Sequence, residues 1–242
     1  MSGTEHKNNN KRINQRRILD KFIDFPVNFL IKHKFSPTIL SYIGFFCSIS
    51  VAFLLSIGGL HFPIYLAWMV PFILFWAGAF DVFDGEVARR TNSNSKAGAF
   101  LDSNLDRLSD AALIIGLTLG NYLHYILGYI LLFLVIMISY IRARAENEGI
   151  DMKGIGIMER ADRLIILWFA FIAEFWMNYF GTIFPDFHFI SELFFPIFIL
   201  FFTGLLILTI VQRLIFSFKV LNKLDEQNKK EKYLLKGNHN RA

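Results

Sequence analysis

Cysteine is nearly absent from this chain. The single Cys47 in 242 residues excludes an internal disulfide and any cysteine-based metal cluster, and it reads as a small buried hydrophobe. Charge is also scarce: 19% of residues are charged, against 54% hydrophobic and 28 Phe, a balance too apolar for a water-soluble globule. The start, MSGTEHKNNNKRINQRR, lacks an apolar core followed by a small-residue cleavage site, so no cleaved signal peptide is expected. No internal repeat is evident, which leaves an inverted-repeat transporter without support.

Long apolar runs are what the chain has instead. Crossing roughly 30 Å of hydrocarbon takes about 20 apolar residues. Six runs are candidates, near 38–57, 62–80, 108–123, 125–141, 164–184 and 194–218, the third interrupted by Asp110, Thr118 and Asn121. Lys and Arg number eight in positions 1–37, four in 81–107, five in 142–163 and eight in 213–242, while the connections GGLH, GNYLH and PDFHFISE hold none. The positive-inside rule then places both termini and both long loops in the cytoplasm, which requires an even number of spans. The expected fold is an all-α integral membrane protein of six transmembrane helices, with a multi-pass location in the cell membrane and the acidic loop on the cytoplasmic face. A formal charge of +5 suits an anionic leaflet better than nucleic acid.

Three segments are expected. Residues 1–35 comprise a polar, aperiodic start and a juxtamembrane stretch, INQRRILDKFIDFPVNFLIKHKF, whose Ile18, Leu19, Phe22, Ile23 and Phe29 recur at helical spacing among basic residues, as in an amphipathic interfacial helix. Residues 36–220 form the six-helix domain, and 221–242 a charged cytoplasmic tail. Ser36-Pro37 reads as the start of the first span, with Ser accepting a backbone hydrogen bond and Pro in the first helical position.

The stretch DVFDGEVARRTNSNSKAGAFLDSNLD, residues 81–106, carries the chemistry. Asp81 and Asp84 are three apart and Asp102 and Asp106 four apart, so on helices each pair shares a face. Four carboxylates folded together repel unless a cation lies between them. Without His or Cys beside them, oxygen-loving Mg²⁺ or Mn²⁺ fits and Zn²⁺ does not, with room for two ions. Gly85 and Gly98 permit close approach of a ligand, Ala88 keeps its face shallow, Arg89 offers a planar fork to phosphate oxygens, and Ser95 a hydroxyl to sugar or phosphate. A solvated charged loop is the plainer reading, but carboxylates at a membrane-helix end are costly without a partner.

The pattern Asp81-x2-Asp84-Gly85-x2-Ala88-Arg89-x8-Gly98-x3-Asp102-x3-Asp106 resembles, without departure, the signature of the CDP-alcohol phosphotransferases, six-helix membrane enzymes that transfer a phosphatidyl-like group from a CDP-linked substrate. The resemblance implies that Asp81, Asp84, Asp102 and Asp106 bind metal, that Asp106 is also the catalytic base, and that Gly85, Ala88, Arg89, Ser95 and Gly98 lie at the CDP portion. Ser36, Pro37, Thr38 and Ile39 match a family segment that also touches the CDP-lipid. Members are often homodimers.

The second basic loop, SYIRARAENEGIDMKGIGIMERADRLIIL, places Arg142, Arg144, Arg160 and Arg163 near the membrane, and Arg213 follows in LTIVQRLIF. Positive-inside topology alone accounts for a basic loop, and snorkelling for Arg213. Together with VQR, the loop resembles the phosphatidylinositol phosphate synthases and the archaetidylinositol phosphate synthases. That resemblance implies inositol 1-phosphate as acceptor, held by Arg142, Arg160 and Arg213, with CDP-archaeol or CDP-diacylglycerol as donor. ERADR stands where ERPER is common, and Arg142 where Lys is frequent. A composition rich in Ile, Phe, Lys and Asn leans towards the archaeal member. Phosphatidylglycerophosphate synthase, using glycerol 3-phosphate, is the alternative of the same class. A polytopic prenyltransferase shares Asp-rich motifs but not the AR-x8-G spacing, and a divalent-cation transporter would want its carboxylates near the midplane. Glu174, deep in the fifth run, is the one intramembrane acid such a transporter could claim; a hydrogen-bonded packing residue is the other reading.

Overall fold

The computed structural model describes residues 23–61 and 67–239, side chains excepted from 228 onward. The polar start, the first part of the expected interfacial helix, the first five residues of the 62–80 run and the last three of the chain lie outside the described residues.

Every regular element among the described residues is helical. Helix α1 covers 23–32, α2 Pro37–Ser56, α3 Met69–Arg90, α4 Lys96–Leu119, α5 Tyr125–Asn147, α6 Arg160–Ile183 and α7 His188–His239. Short 3₁₀ turns occupy Gly59–His61 and Pro185–Phe187. By length and composition α2, α5, α6 and the apolar part of α7 can cross a membrane. Helices α3 and α4, at 22 and 24 residues, are as long, but the last turns of α3 carry Asp81, Asp84 and Glu86, and the first turns of α4 carry Asp102, Asp106 and Asp110. Between 28% and 39% of the four apolar segments is buried inside the protein, and Phe133, Phe169, Leu200 and Phe201 are exposed. Water would not tolerate so much apolar surface, whereas lipid solvates it. The change from apolar to charged composition at Leu221 does not end α7, which runs on to His239.

The chain divides into two compact units, Met1–Val51 with Phe72–Ser109, and Ala52–Pro71 with Asp110–Ala242. In the first unit Val27 of α1, Leu40 of α2 and Val87 of α3 are fully buried together, with Ile23, Phe80 and Phe83 packed around them. Arg90 ties α3 to α1 through Asp24 at 2.5 Å and Asn28 at 3.2 Å. Gly44 sets the spacing of α2 and α3: a Cβ there would lie 3.3 Å from both the Ala77 carbonyl and the Phe80 Cβ. The start of α2 is as expected, with Pro37 first in the helix and the Ile39 N–H donating to Ser36 Oγ at 3.3 Å.

In the second unit α7 packs along α5 and α6, burying Leu131, Ile138, Leu167, Phe171, Ile199 and Leu206. Several buried polar groups here are engaged by partners. Arg163 donates to Asp110 at 2.7 Å, both buried, and Thr203 and Thr209 donate to carbonyls one turn back. The loop between α5 and α6 is fastened to α7. Arg213 donates from Nε to the Ile155 carbonyl at 2.9 Å and from Nη1 to the Ile138 carbonyl at 2.8 Å, and the Met158 N–H donates to Thr209 Oγ1 at 3.3 Å. Gly156 makes that seat fit: its φ is +104°, and a Cβ would lie 2.8 Å from Thr209 Cγ2. Glu159 and Asp162 then open α6 with reciprocal capping bonds.

Because Asp110 and Arg163 are both buried, deleting one charge leaves the other stranded. Arg163→Met should therefore cost on the order of 3 kcal/mol of stability, read as a lower thermal midpoint in detergent. The double variant Arg163→Met/Asp110→Leu should recover much of that loss, and an equal loss in both would show that the charge pair is not the cause.

Candidate active site

The sites of interest lie at helix ends, and each is built within one unit. In the first unit, α3 carries Asp81, Asp84, Gly85, Ala88 and Arg89 on its last three turns, and α4 carries Gly98, Asp102 and Asp106 on its first three. Helix α3 ends at Arg90 in a turn whose Asn92 adopts a φ of 51°, and α4 begins after Ser95, whose Oγ accepts the Gly98 N–H at 2.9 Å. Ser95, expected to face substrate, thus also has a local duty as the helix cap.

The structure brings Asp81, Asp102 and Asp106 together: one carboxylate oxygen from each lies within 4.8 Å of the others, and all three side chains are half-buried. That is a hard, all-oxygen donor set, suited to Mg²⁺ or Mn²⁺. Asp84 is not in this group. It is buried, 6% exposed, and accepts the Ser41 hydroxyl at 2.5 Å. Burial pushes its carboxyl up to about 7, the charges of Asp102 and Asp81 push the same way, and the Ser41 hydroxyl and Gly85 N–H oppose them. Ser41 escaped the sequence reading because it lies 43 positions from Asp84 and comes to it only through the packing of α2 on α3.

Arg89 is exposed and grips Glu86, with Nε at 3.0 Å and Nη2 at 2.5 Å; Arg90 takes the other Glu86 oxygen at 2.8 Å. These two guanidinium groups hold the Glu86 carboxyl below its usual range. A phosphate at Arg89 therefore exchanges one anionic partner for another. Gly85 leaves the space beside Arg89 open, the nearest atom to an added Cβ being Arg89 Nη1 at 3.9 Å.

In the second unit, Arg160 is the first residue of α6 and its Nε stands 3.8 Å from Asp110 Oδ1. Arg142, near the end of α5, pairs with Glu146 at 2.9 Å, and Arg144 with Glu148 at 2.6 Å. Arg142 and Arg163 are both close enough to act electrostatically on Arg213. Arg213 does not snorkel: it is 2% exposed and bonded to two backbone carbonyls. Asp110, which the sequence shows only as an interruption of an apolar run, is the carboxylate that organises Arg160 and Arg163. Its four-residue step from Asp106 was the available signal.

Comparison with known proteins bears on both groups of residues. The CDP-alcohol phosphatidyltransferase family model matches residues 34–221. The archaetidylinositol phosphate synthase of Methanothermobacter thermautotrophicus is 50% identical over 91 residues, 38% of this chain and 46% of that protein. The enzyme of the same name from Pyrococcus horikoshii is 44% identical over 99 residues, 40% of this chain and 53% of that one. The chain thus matches about half the length of these curated relatives. Among solved structures, the phosphatidylinositol phosphate synthase of Mycobacterium tuberculosis with CDP-DAG bound superposes with a TM-score of 0.63 at 25% identity, covering 81% of this chain and 94% of that one. The same enzyme in complex with manganese and citrate gives 0.62 at 26% identity, covering 79% and 87%. A match over residues 34–221 that includes the whole of the Asp81 to Asp106 pattern means that this chain belongs to the CDP-alcohol phosphatidyltransferase family.

Proposed function

We infer that the protein transfers a phosphatidyl or archaetidyl group from a CDP-linked lipid to inositol 1-phosphate, releasing CMP. The observation that carries this reading is the convergence of Asp81, Asp102 and Asp106 at the facing ends of α3 and α4. The family match and the inositol phosphate names of its relatives support it. The archaeal relatives favour an archaeol donor. The absence of Lys and Arg from three connections favours six spans, with both termini and the acidic loop in the cytoplasm of a multi-pass cell-membrane protein.

The donor's tails lie in the bilayer and its pyrophosphate lies at the aspartates. Ser36, Pro37, Thr38 and Ile39 at the start of α2, with Gly85, Ala88, Arg89, Ser95 and Gly98, receive the CDP portion. Asp81, Asp84, Asp102 and Asp106 would hold two Mg²⁺ or Mn²⁺ ions, which when bound would neutralise charge on the leaving phosphate. Asp106 takes the proton of the acceptor hydroxyl as that oxygen bonds to phosphorus and the bond to CMP breaks. Arg142 and Arg160 hold the acceptor's phosphate, and Arg213 keeps their loop in place while adding positive charge.

The deciding experiment is CMP release by purified protein with CDP-archaeol or CDP-diacylglycerol, Mn²⁺ and one acceptor at a time. Release with inositol 1-phosphate but not with glycerol 3-phosphate or free inositol is the expected result, and release only with glycerol 3-phosphate would overturn the acceptor. Asp106→Asn should cut turnover by about 10²–10⁴-fold while the thermal midpoint stays near that of the parent; near-normal turnover would remove Asp106 as base. Arg160→Ala should raise the KM for inositol 1-phosphate roughly 10-fold with little change in that for the CDP-lipid, and equal changes would argue against a phosphate contact.

The pH dependence follows from Asp84. Its pKa in the folded protein, about 7, lies above the ordinary 3.8. In metal-free protein its contribution to stability is therefore fully present below 3.8 and is lost as pH rises through about 7. A divalent ion favours the carboxylate, so Mn²⁺ should raise the thermal midpoint more at about pH 8 than at about pH 6. An equal Mn²⁺ effect at both would show that Asp84 does not take part.

A further inference from the structure

The α4–α5 connection, the Gly59–His61 turn and the α6–α7 connection meet at the end of the second unit that carries no Lys or Arg. They line a cavity of about 710 Å³, with Glu174 of α6 among the lining residues. Glu174 is 4% exposed. Its Oε1 accepts from Asn178 Nδ2 at 2.8 Å and stands 3.8 Å from His61 Nε2, beyond hydrogen-bond reach. Its Oε2 is buried and has no hydrogen-bond partner among the described residues. A carboxylate offers about four acceptor positions, so this group is left short of donors. Leaving such a group bare inside a membrane protein is costly.

The lining decides what kind of ligand the cavity would take. No Lys or Arg lines the cavity, and a second acid, Glu192, stands at its edge beside His188 at 3.5 Å, so an anion is unsuited. Among the described residues the only three His, Cys, Asp or Glu side chains close enough to hold a metal ion together are the three aspartates of the other unit, so the cavity offers no such acidic cluster to a compact inner-sphere ion. Tyr122, Phe175 and Phe195 supply aromatic walls, with Tyr122 and Phe195 rings 5.9 Å apart in edge contact. A carboxylate in the lining of an aromatic-walled cavity of small-ligand size suits an organic cation: the ammonium donates to the acid, and ring faces stabilise its charge.

We propose that this cavity is a binding site for a primary ammonium group, with Glu174 as its counter-ion. The ammonium comes from an aminophospholipid headgroup or from a free amine, since both present the same donor. The site is separate from the aspartates and has no part in the transfer reaction.

The test is calorimetric titration of the purified full-length protein, in a maltoside detergent with Mn²⁺ present, using ethanolamine and its neutral isostere ethylene glycol. Ethanolamine is expected to bind saturably at one site per chain and ethylene glycol not at all, with Glu174→Gln weakening ethanolamine at least 10-fold. Asp102→Asn should leave ethanolamine binding within 2-fold, and this control does not depend on the folding of the Glu174 variant. Equal behaviour of the two probes would overturn the proposal, as would no saturable binding, or binding lost in Asp102→Asn and kept in Glu174→Gln. Repeating the titration in nanodiscs of phosphatidylethanolamine and of phosphatidylglycerol separates the sources. Loss of ethanolamine binding only in phosphatidylethanolamine identifies the lipid headgroup, and equal binding in both identifies a free amine.

Discussion

Three carboxylates within 4.8 Å of one another repel, and a divalent cation held among them would offset that repulsion. Much of the first unit is arranged around that constraint. The aspartates sit on the end of one helix and the beginning of another, where charge can meet water and headgroups rather than hydrocarbon. The Ser95 cap fixes where α4 begins and hence where Asp102 and Asp106 fall on its first turns. Gly44 allows α2 to lie close against α3, and that closeness puts Ser41 on Asp84, so one acid of the four is buried and hydrogen-bonded while three gather. Glu86 occupies both neighbouring guanidinium groups, which keeps Arg89 oriented at the surface until a stronger anion competes for it.

The second unit treats its charges differently. Asp110 is satisfied by Arg163 at hydrogen-bond distance, with Arg160 further off, so one carboxylate orders two arginines at the start of α6. Arg213 spends two donors on backbone carbonyls of separate segments, which holds the α5–α6 loop against α7. Buried guanidinium groups thus serve as structural fasteners in the same loop that carries exposed ones, a sensible economy where unsatisfied polar groups are costly. At the far end of the same unit Glu174 breaks this habit: its second oxygen has no hydrogen-bond donor among the described residues, and a cavity lies beside it.

The sequence by itself determined what depends on local period and on solvent. Apolar run lengths made the chain helical and membrane-bound, because lipid admits only backbones that satisfy their own hydrogen bonds. Spacings of three and four placed each aspartate pair on one helix face, and Ser36-Pro37 marked a helix start, because these depend on one helix alone. Only the tertiary structure decided that Asp84 is buried against Ser41, that Asp110 rather than a ligand engages Arg163, that Arg213 is buried as a fastener, and that Glu174 meets Asn178 and His61 beside a cavity. Asn178 lies on Glu174's own helix, but the other contacts join residues 43 to 113 positions apart. Which side chains meet across such distances is set by how helix faces pack, and spacing along the chain carries no record of it.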